Sequence, residues 1–165
     1  MSDFNTLATD NLIPESQKLP ERSNLIILII DDDFASARML QHLVKAICYK
    51  AIIVTKSEDA LDIFQNNPGI ELILMDIAMP KINGYDVTRQ IRKFNTDVVI
   101  IAQTSFANRI DIEMAIEAGC NDHISKPIHK DQLISMIRKH FWCLEWIVIS
   151  FHMVPSILNQ PDRYD

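Results

Sequence analysis

Between Leu25 and Phe141, short apolar runs alternate with longer stretches in which apolar residues recur every three or four positions. The runs Leu25–Ile30, Ala51–Thr55, Leu72–Met75, Val98–Gln103 and His123–Ser125 have strand length. Several are rich in Ile and Val, as strands covered on both faces are. The intervening segments Ala35–Ile47, Glu58–Asn66, Gly84–Phe94, Arg109–Ala118 and Lys130–Phe141 carry helical spacing. The punctuation agrees with this division. Ser57 can cap a helix whose first turn holds Glu58 and Asp59, "NNPG" at Asn66–Gly69 stops it, and "AGCND" at Ala118–Asp122 supplies a later stop. This rhythm predicts parallel β/α units in an open, doubly wound α/β sheet of five strands with helices on both faces. Ligands of such sheets bind at the carboxyl ends of the strands, near a topological switch point.

Those ends collect an unusual set of side chains. Asp31 and Asp32 follow the first strand, Asp76 the third, Thr104 the fourth and Lys126 the fifth. Two carboxylates about 4 to 5 Å apart repel by roughly 3 to 4 kcal/mol at an effective dielectric near 20, so the group needs a positive partner or full solvation. A fold built for stability alone has no use for three carboxylates, a hydroxyl and an amine at one edge. A phosphoryl site bound through a divalent cation needs these residue types.

Composition narrows the alternatives. With 165 residues, 48% hydrophobic, 23% charged and three glycines, the chain suits one globular domain with tails. Its net charge of −6, with no basic stripe evident along any one segment, argues against direct binding of nucleic acid or anionic lipid. Cys48, Cys120 and Cys143 lack disulfide or zinc spacing, so a reducing cytoplasm is expected. The polar residues 1–23, with Pro14 and Pro20, read as a flexible leader or linker and carry no secretory pattern.

Four segments, "IIDDD", "LILMDIAMPKINGYDV", "IIAQTSFA" and "GCNDHISKPI", occur in an order and spacing that resembles the receiver domain of bacterial response regulators and hybrid sensor kinases. The resemblance covers roughly Asn24 to Phe141 and implies the flavodoxin-like (βα)5 receiver fold. It implies Asp76 as the phosphoacceptor, a nucleophilic carboxylate that takes a phosphoryl group from a phosphohistidine. It further implies Mg2+ as cofactor, held directly by Asp32 and mostly through water by Asp31, with Asp76 and the backbone carbonyl of Ala78 completing the set. Thr104, with the small Ser105 beside it, would bind a phosphoryl oxygen, and Lys126 would pair with Asp76 and then with the phosphoryl group. Pro80 and Gly84 shape the loop after Asp76, and Lys126-Pro127 matches a Lys-Pro whose bond is typically cis. Asp33 is expected instead to serve the N-terminus of the first helix.

His123 stands where the family carries a rotating aromatic switch residue. Its ring can charge near neutral pH, so inward rotation would be opposed at acid pH. The expected output surface combines the fourth helix, fifth strand and fifth helix. Expected partners are a sensor histidine kinase or a histidine phosphotransfer protein, and the output face or the C-terminal extension could also pair two copies. The chain is not expected to be an enzyme beyond its own phosphotransfer and dephosphorylation. A protein-binding pseudo-receiver remains an alternative. So does a magnesium phosphohydrolase, which should carry a second aspartate where Ala78 stands. Residues 142–165, "WCLEWIVISFHMVPSILNQPDRYD", form an apolar extension of unassigned role, interrupted too often by polar residues and proline for a membrane span to be expected.

Overall fold

The computed structural model describes residues 24–105 and 109–141. Five parallel strands, β1 (Ile26–Ile30), β2 (Lys50–Val54), β3 (Ile70–Asp76), β4 (Val99–Thr104) and β5 (Asp122–Ser125), form one sheet in the order β2-β1-β3-β4-β5. The helices are α1 (Phe34–Val44), α2 (Ala60–Gln65), α3 (Gly84–Arg92), α4 (Arg109–Ala118) and α5 (Lys130–Phe141). The chain reverses its direction of travel across the sheet between β1 and β3, which places a crevice above the carboxyl ends of those two strands.

Successive strand residues point to opposite faces, and each face is covered by its own apolar layer. Leu25, Ile27, Ile29, Leu72, Leu74 and Ile101 pack with Ala37, Leu40 and Val44 of α1 and Leu133 and Ile137 of α5. Leu28, Ile30, Ile73, Met75, Ile100 and Ala102 pack with Phe64 of α2, Val87 and Ile91 of α3 and Ala115 of α4. β-Branched side chains in β1 and β4 suit this double coverage.

Most expected elements form, with instructive shifts. β2 starts at Lys50 and ends at Val54, one residue earlier than Ala51–Thr55, because Tyr49 N–H donates to Leu25 O (2.9 Å) and sets Ile26 opposite Lys50. β3 extends to Asp76, whose Cα pairs with that of Gln103, so the acid ends the strand itself. α1 stops at Val44, short of Ile47, where Ile47 N–H turns back to Val44 O. α3 ends at Arg92, before Phe94.

The capping expectation for Ser57 is overturned. Residues Ser57–Asp59 form a separate 3₁₀ turn before α2, and its cap residue Lys56 provides no side-chain hydrogen bond. Ser57 is buried, and its hydroxyl donates to Pro80 O (3.3 Å), a tertiary bond that outcompetes the local cap. Lys81, with φ of 65°, reaches back to Glu58 in an ion pair at the same junction. The loop after β3 is therefore held from the side by the start of α2.

Candidate functional site

β1 ends by delivering Asp31 into the crevice. The residue is fully buried, and its Oδ1 accepts from Asp33 N–H at 3.0 Å. β3 delivers Asp76 beside it, 4% exposed, with Oδ1 accepting from Ala78 N–H at 3.2 Å. Lys126, just after β5, places its Nζ 3.1 Å from Asp31 Oδ2 and 3.0 Å from Asp76 Oδ2. One amine thus offsets two buried acids. The Lys126-Pro127 peptide bond is cis.

Electrostatics follow from this sharing. Burial pushes the Asp31 carboxyl above its ordinary value of 3.8, and Asp76 nearby adds to the rise, while the hydrogen bond and charge of Lys126 pull against it. Burial also works against charge on Lys126, but its bonds to Asp76 and Asp31 outweigh that cost and hold its pKa above 10.5. The raised acid makes ionised Asp31 a net cost to the fold. Stability from this group therefore falls as pH rises from 3.8 through the elevated value. Asp31→Asn, which keeps an oxygen acceptor for Asp33 N–H, should raise the urea midpoint at pH 7 in EDTA. The gain should shrink toward pH 4, and urea titrations at both pH values measure it.

Asp33 does a different task. It is the N-cap of α1, accepting from Ala35 N–H and Ser36 N–H (both 3.2 Å) and from the Ser36 hydroxyl (2.6 Å). The Ser36 hydroxyl first, then those amides, holds its carboxyl below the usual range. Asp33→Ala should lower the melting temperature by a few degrees and Asp33→Ser should restore most of it, as differential scanning calorimetry would record.

The remaining acid, Asp32, is exposed at the rim. Carboxylate oxygens of Asp31, Asp32 and Asp76 lie within 4.8 Å of one another. This all-oxygen, doubly buried and singly exposed set fits a hard divalent cation that keeps several waters. Thr104, at the end of β4, has a buried hydroxyl without a hydrogen-bond partner among the described residues, and its carbonyl accepts from Lys126 N–H at 2.8 Å. The pairing puts Thr104 and Lys126 on adjacent strand ends. Ser105 is exposed just beyond.

The loop from Ile77 to Asn83 closes the crevice. Gly84 N–H donates to Ile77 O (3.1 Å), and Asn83 caps α3 through Asp86 N–H (2.9 Å). A Cβ on Gly84 would sit 2.2 Å from Asp76 O, so glycine is required here by close approach of backbone to backbone. Pro80 and Ala78 are exposed on this loop. His123 is half-buried on β5, and its backbone N–H donates to Asp122 Oδ1 (2.9 Å).

Sequence reasoning passed over Gln103. It is fully buried, pairs in register with Asp76, and neither amide atom has a partner among the described residues. Its signal was available: a lone amide inside the apolar run "VVIIAQT".

Comparison with known proteins agrees with this geometry. The model of the response regulator receiver domain family matches residues 27–138. The chain is 32% identical over 133 residues to Two-component response regulator 24 of Arabidopsis thaliana, covering 81% of this chain and 95% of that protein. It is 31% identical over 112 residues to the transcriptional regulatory protein CpxR of Escherichia coli, covering 68% of this chain and 47% of the relative. The chain thus spans about half the length of that regulator. Among solved structures, a CheY-like receiver domain protein from Methanospirillum hungatei superposes with a TM-score of 0.65 at 25% identity, over 71% of this chain and 93% of that one. The receiver domain of a Saccharomyces cerevisiae response regulator, solved with its histidine phosphotransfer signaling protein, gives 0.65 at 24% identity, over 73% and 90%. The acidic crevice, the strand order and these matches lead to one statement: the chain belongs to the response regulator receiver domain family of two-component systems.

Proposed function

We propose that this chain is a phosphoacceptor that receives a phosphoryl group on Asp76 and signals through its surface. The observation that carries the proposal is the contact of Lys126 Nζ with both Asp31 and Asp76, together with a buried Thr104 hydroxyl that has no hydrogen-bond partner among the described residues. In this reading Asp32, Asp31, Asp76 and the Ala78 carbonyl hold Mg2+, which when bound neutralises phosphoryl oxygens. The chain supplies the rest. An Asp76 oxygen attacks phosphorus in line, the donor's histidine nitrogen leaves, and an acyl phosphate forms. Lys126 then pairs with the phosphoryl group, and Thr104 donates to one of its oxygens.

Partners in this reading are a sensor histidine kinase or a phosphotransfer protein, docking where Phe34, 61% exposed, begins α1 beside Asp32 and Asp33. The exposed Ile110, Met114 and Ile116 of α4 provide apolar area for an output partner or a second copy. His123 is proposed as the switch position between them. The receiver unit is proposed to span residues 24–141, the leader and the C-terminal extension lying outside the described residues. Among those described, no helix is long and apolar enough to cross a membrane.

The test is incubation of the chain with acetyl phosphate and Mg2+, followed by intact mass. One hydroxylamine-labile phosphoryl adduct is expected on the wild type and none on Asp76→Asn or in EDTA. A wild type that stays unmodified would favour a protein-binding pseudo-receiver and remove the proposal.

A further inference from the structure

A second polar concavity lies away from the acidic crevice. It is a cleft of about 480 Å³ between α1 and the edge strand β2, lined by Arg38, Gln41, His42, Lys45, Tyr49 and Ala51, with Cys48 at its side. That volume falls within the roughly 300 to 1,000 Å³ of small-molecule sites. α1 starts at the carboxyl edge of the sheet and carries its C-terminal half toward the opposite edge, so the cleft and the acids are separate.

Charge is segregated here. In a chain of net charge −6, the segment Phe34–Ser57 contains no Asp or Glu, yet it holds Arg38, Lys45, Lys50, Lys56 and His42. Spacings of four and three residues place Arg38, His42 and Lys45 along one helix stripe, so part of this acid-free segment lines the cleft together. Lys81, Arg89, Arg109, Lys126 and Lys139 each have an acidic partner, whereas Lys93, Lys130 and Arg138, like the cations of the cleft, form no ion pair among the described residues. Arg38, His42 and Lys45 have none among the described residues. Burial raises the Cys48 thiol pKa, so the thiol brings no negative charge to the cleft.

The cleft is also held in shape. Gln41 Nε2 donates to Ala51 O at 2.8 Å, fixing α1 to β2, and Gln41 Oε1 accepts from Arg38 Nη1 at 2.5 Å, which directs the guanidinium along the rim. Tyr49, 71% exposed, adds an aromatic ring to the lining. Arg38 and Lys45 are seven residues apart, a rise of about 10 Å, longer than one phosphate and suited to a phosphate chain with its sugar. An extended polyanion such as DNA would meet the net negative field of the whole molecule, whereas a small ligand meets the local cations.

We infer that this cleft binds a nucleoside diphosphate or a nucleotide of similar size, with its phosphates along Arg38, His42 and Lys45 and its base against Tyr49. Base stacking on an aromatic ring adds sequence-tolerant affinity. The inference stands independently of phosphorylation at Asp76.

The test is a ¹⁵N–¹H NMR titration of the full chain with ADP in EDTA at constant chloride, with pyrophosphate and adenosine as separate arms. ADP should give saturable shifts confined to α1 and the start of β2, with a midpoint of about 1 mM or lower. Arg38→Gln/Lys45→Gln, both exposed positions, should raise that midpoint at least about tenfold while leaving the remaining spectrum folded. Tyr49→Ala should weaken ADP about fivefold and leave pyrophosphate unchanged, and adenosine alone should not saturate. Shifts that never saturate, or that persist undiminished in the double variant, would overturn the site. Pyrophosphate binding as tightly as ADP would overturn the assignment of a nucleotide.

Discussion

Lys126→Met should cost about 3 kcal/mol of unfolding free energy at pH 7 in EDTA, read from urea titrations. Removing one partner of a buried ion pair typically costs roughly 3 to 5 kcal/mol, because the opposite charge is left uncompensated. Here two carboxylates are left, Asp31 and Asp76, 3.1 and 3.0 Å from the lost amine. The amine keeps some water, with 27% of its side chain exposed, which places the expectation at the low end. The loss should narrow as pH falls and the stranded Asp31 carboxyl, already raised by burial, takes up a proton. On the alkaline side, the contribution that comes from protonation of Lys126 is lost as pH rises through its elevated pKa. The same substitution should slow accumulation of the phosphoryl adduct by about 10² or more, since a preorganised charge aimed at the transferring group is lost. Lys126→Arg should not restore the rate, because a planar fork cannot replace a point charge shared by two acids.

Gly84→Ala is expected to be the most damaging of the three glycine-to-alanine changes. The new Cβ would stand 2.2 Å from Asp76 O, 2.9 Å from Ile77 Cα and 3.0 Å from Asp76 C. All three are backbone atoms at the end of a central strand, so no side chain can swing aside. Overpacking commonly costs about 1 to 3 kcal/mol, and a collision with backbone belongs at or above the top of that range. Relief requires the Asp76–Gly84 loop to move, which breaks the Gly84 N–H bond to Ile77 O and shifts Asp76 away from Lys126. Stability and adduct formation should therefore fall together. A variant that melted like wild type and accumulated adduct at the same rate would contradict the assigned role of this close approach.

Which of these features could be read before folding depends on the range of the interaction. α4 ends at Ala118, where "AGCND" predicts a stop, because that boundary is set by local punctuation. The convergence of Asp31, Asp76, Thr104 and Lys126 was legible because a parallel sheet puts all its strand ends on one edge. Ser57 misled because its hydroxyl bonds Pro80, a partner 23 residues away, and no local pattern announces such a bond. Gly84 was legible as a needed glycine, but its reason, proximity to Asp76 O and not a positive φ, is a tertiary fact. The Arg38–Lys45 cleft was hidden for a similar reason: the acid-free run is visible in the chain, but the concavity that α1 and β2 form along it is a tertiary fact.

The sheet keeps the two apolar layers apart along nearly its whole extent, with alternate residues of each strand committed to one layer or the other. By that alternation Asp31, Asp76 and Gln103 belong to the side of α1 and α5, whereas Thr104 belongs to the side of α2, α3 and α4. The carboxyl edge is where these allegiances meet. A group covalently anchored on Asp76 and bonded to Thr104 would act as a clasp between the two layers, making α4 answerable to events on the opposite side of the sheet.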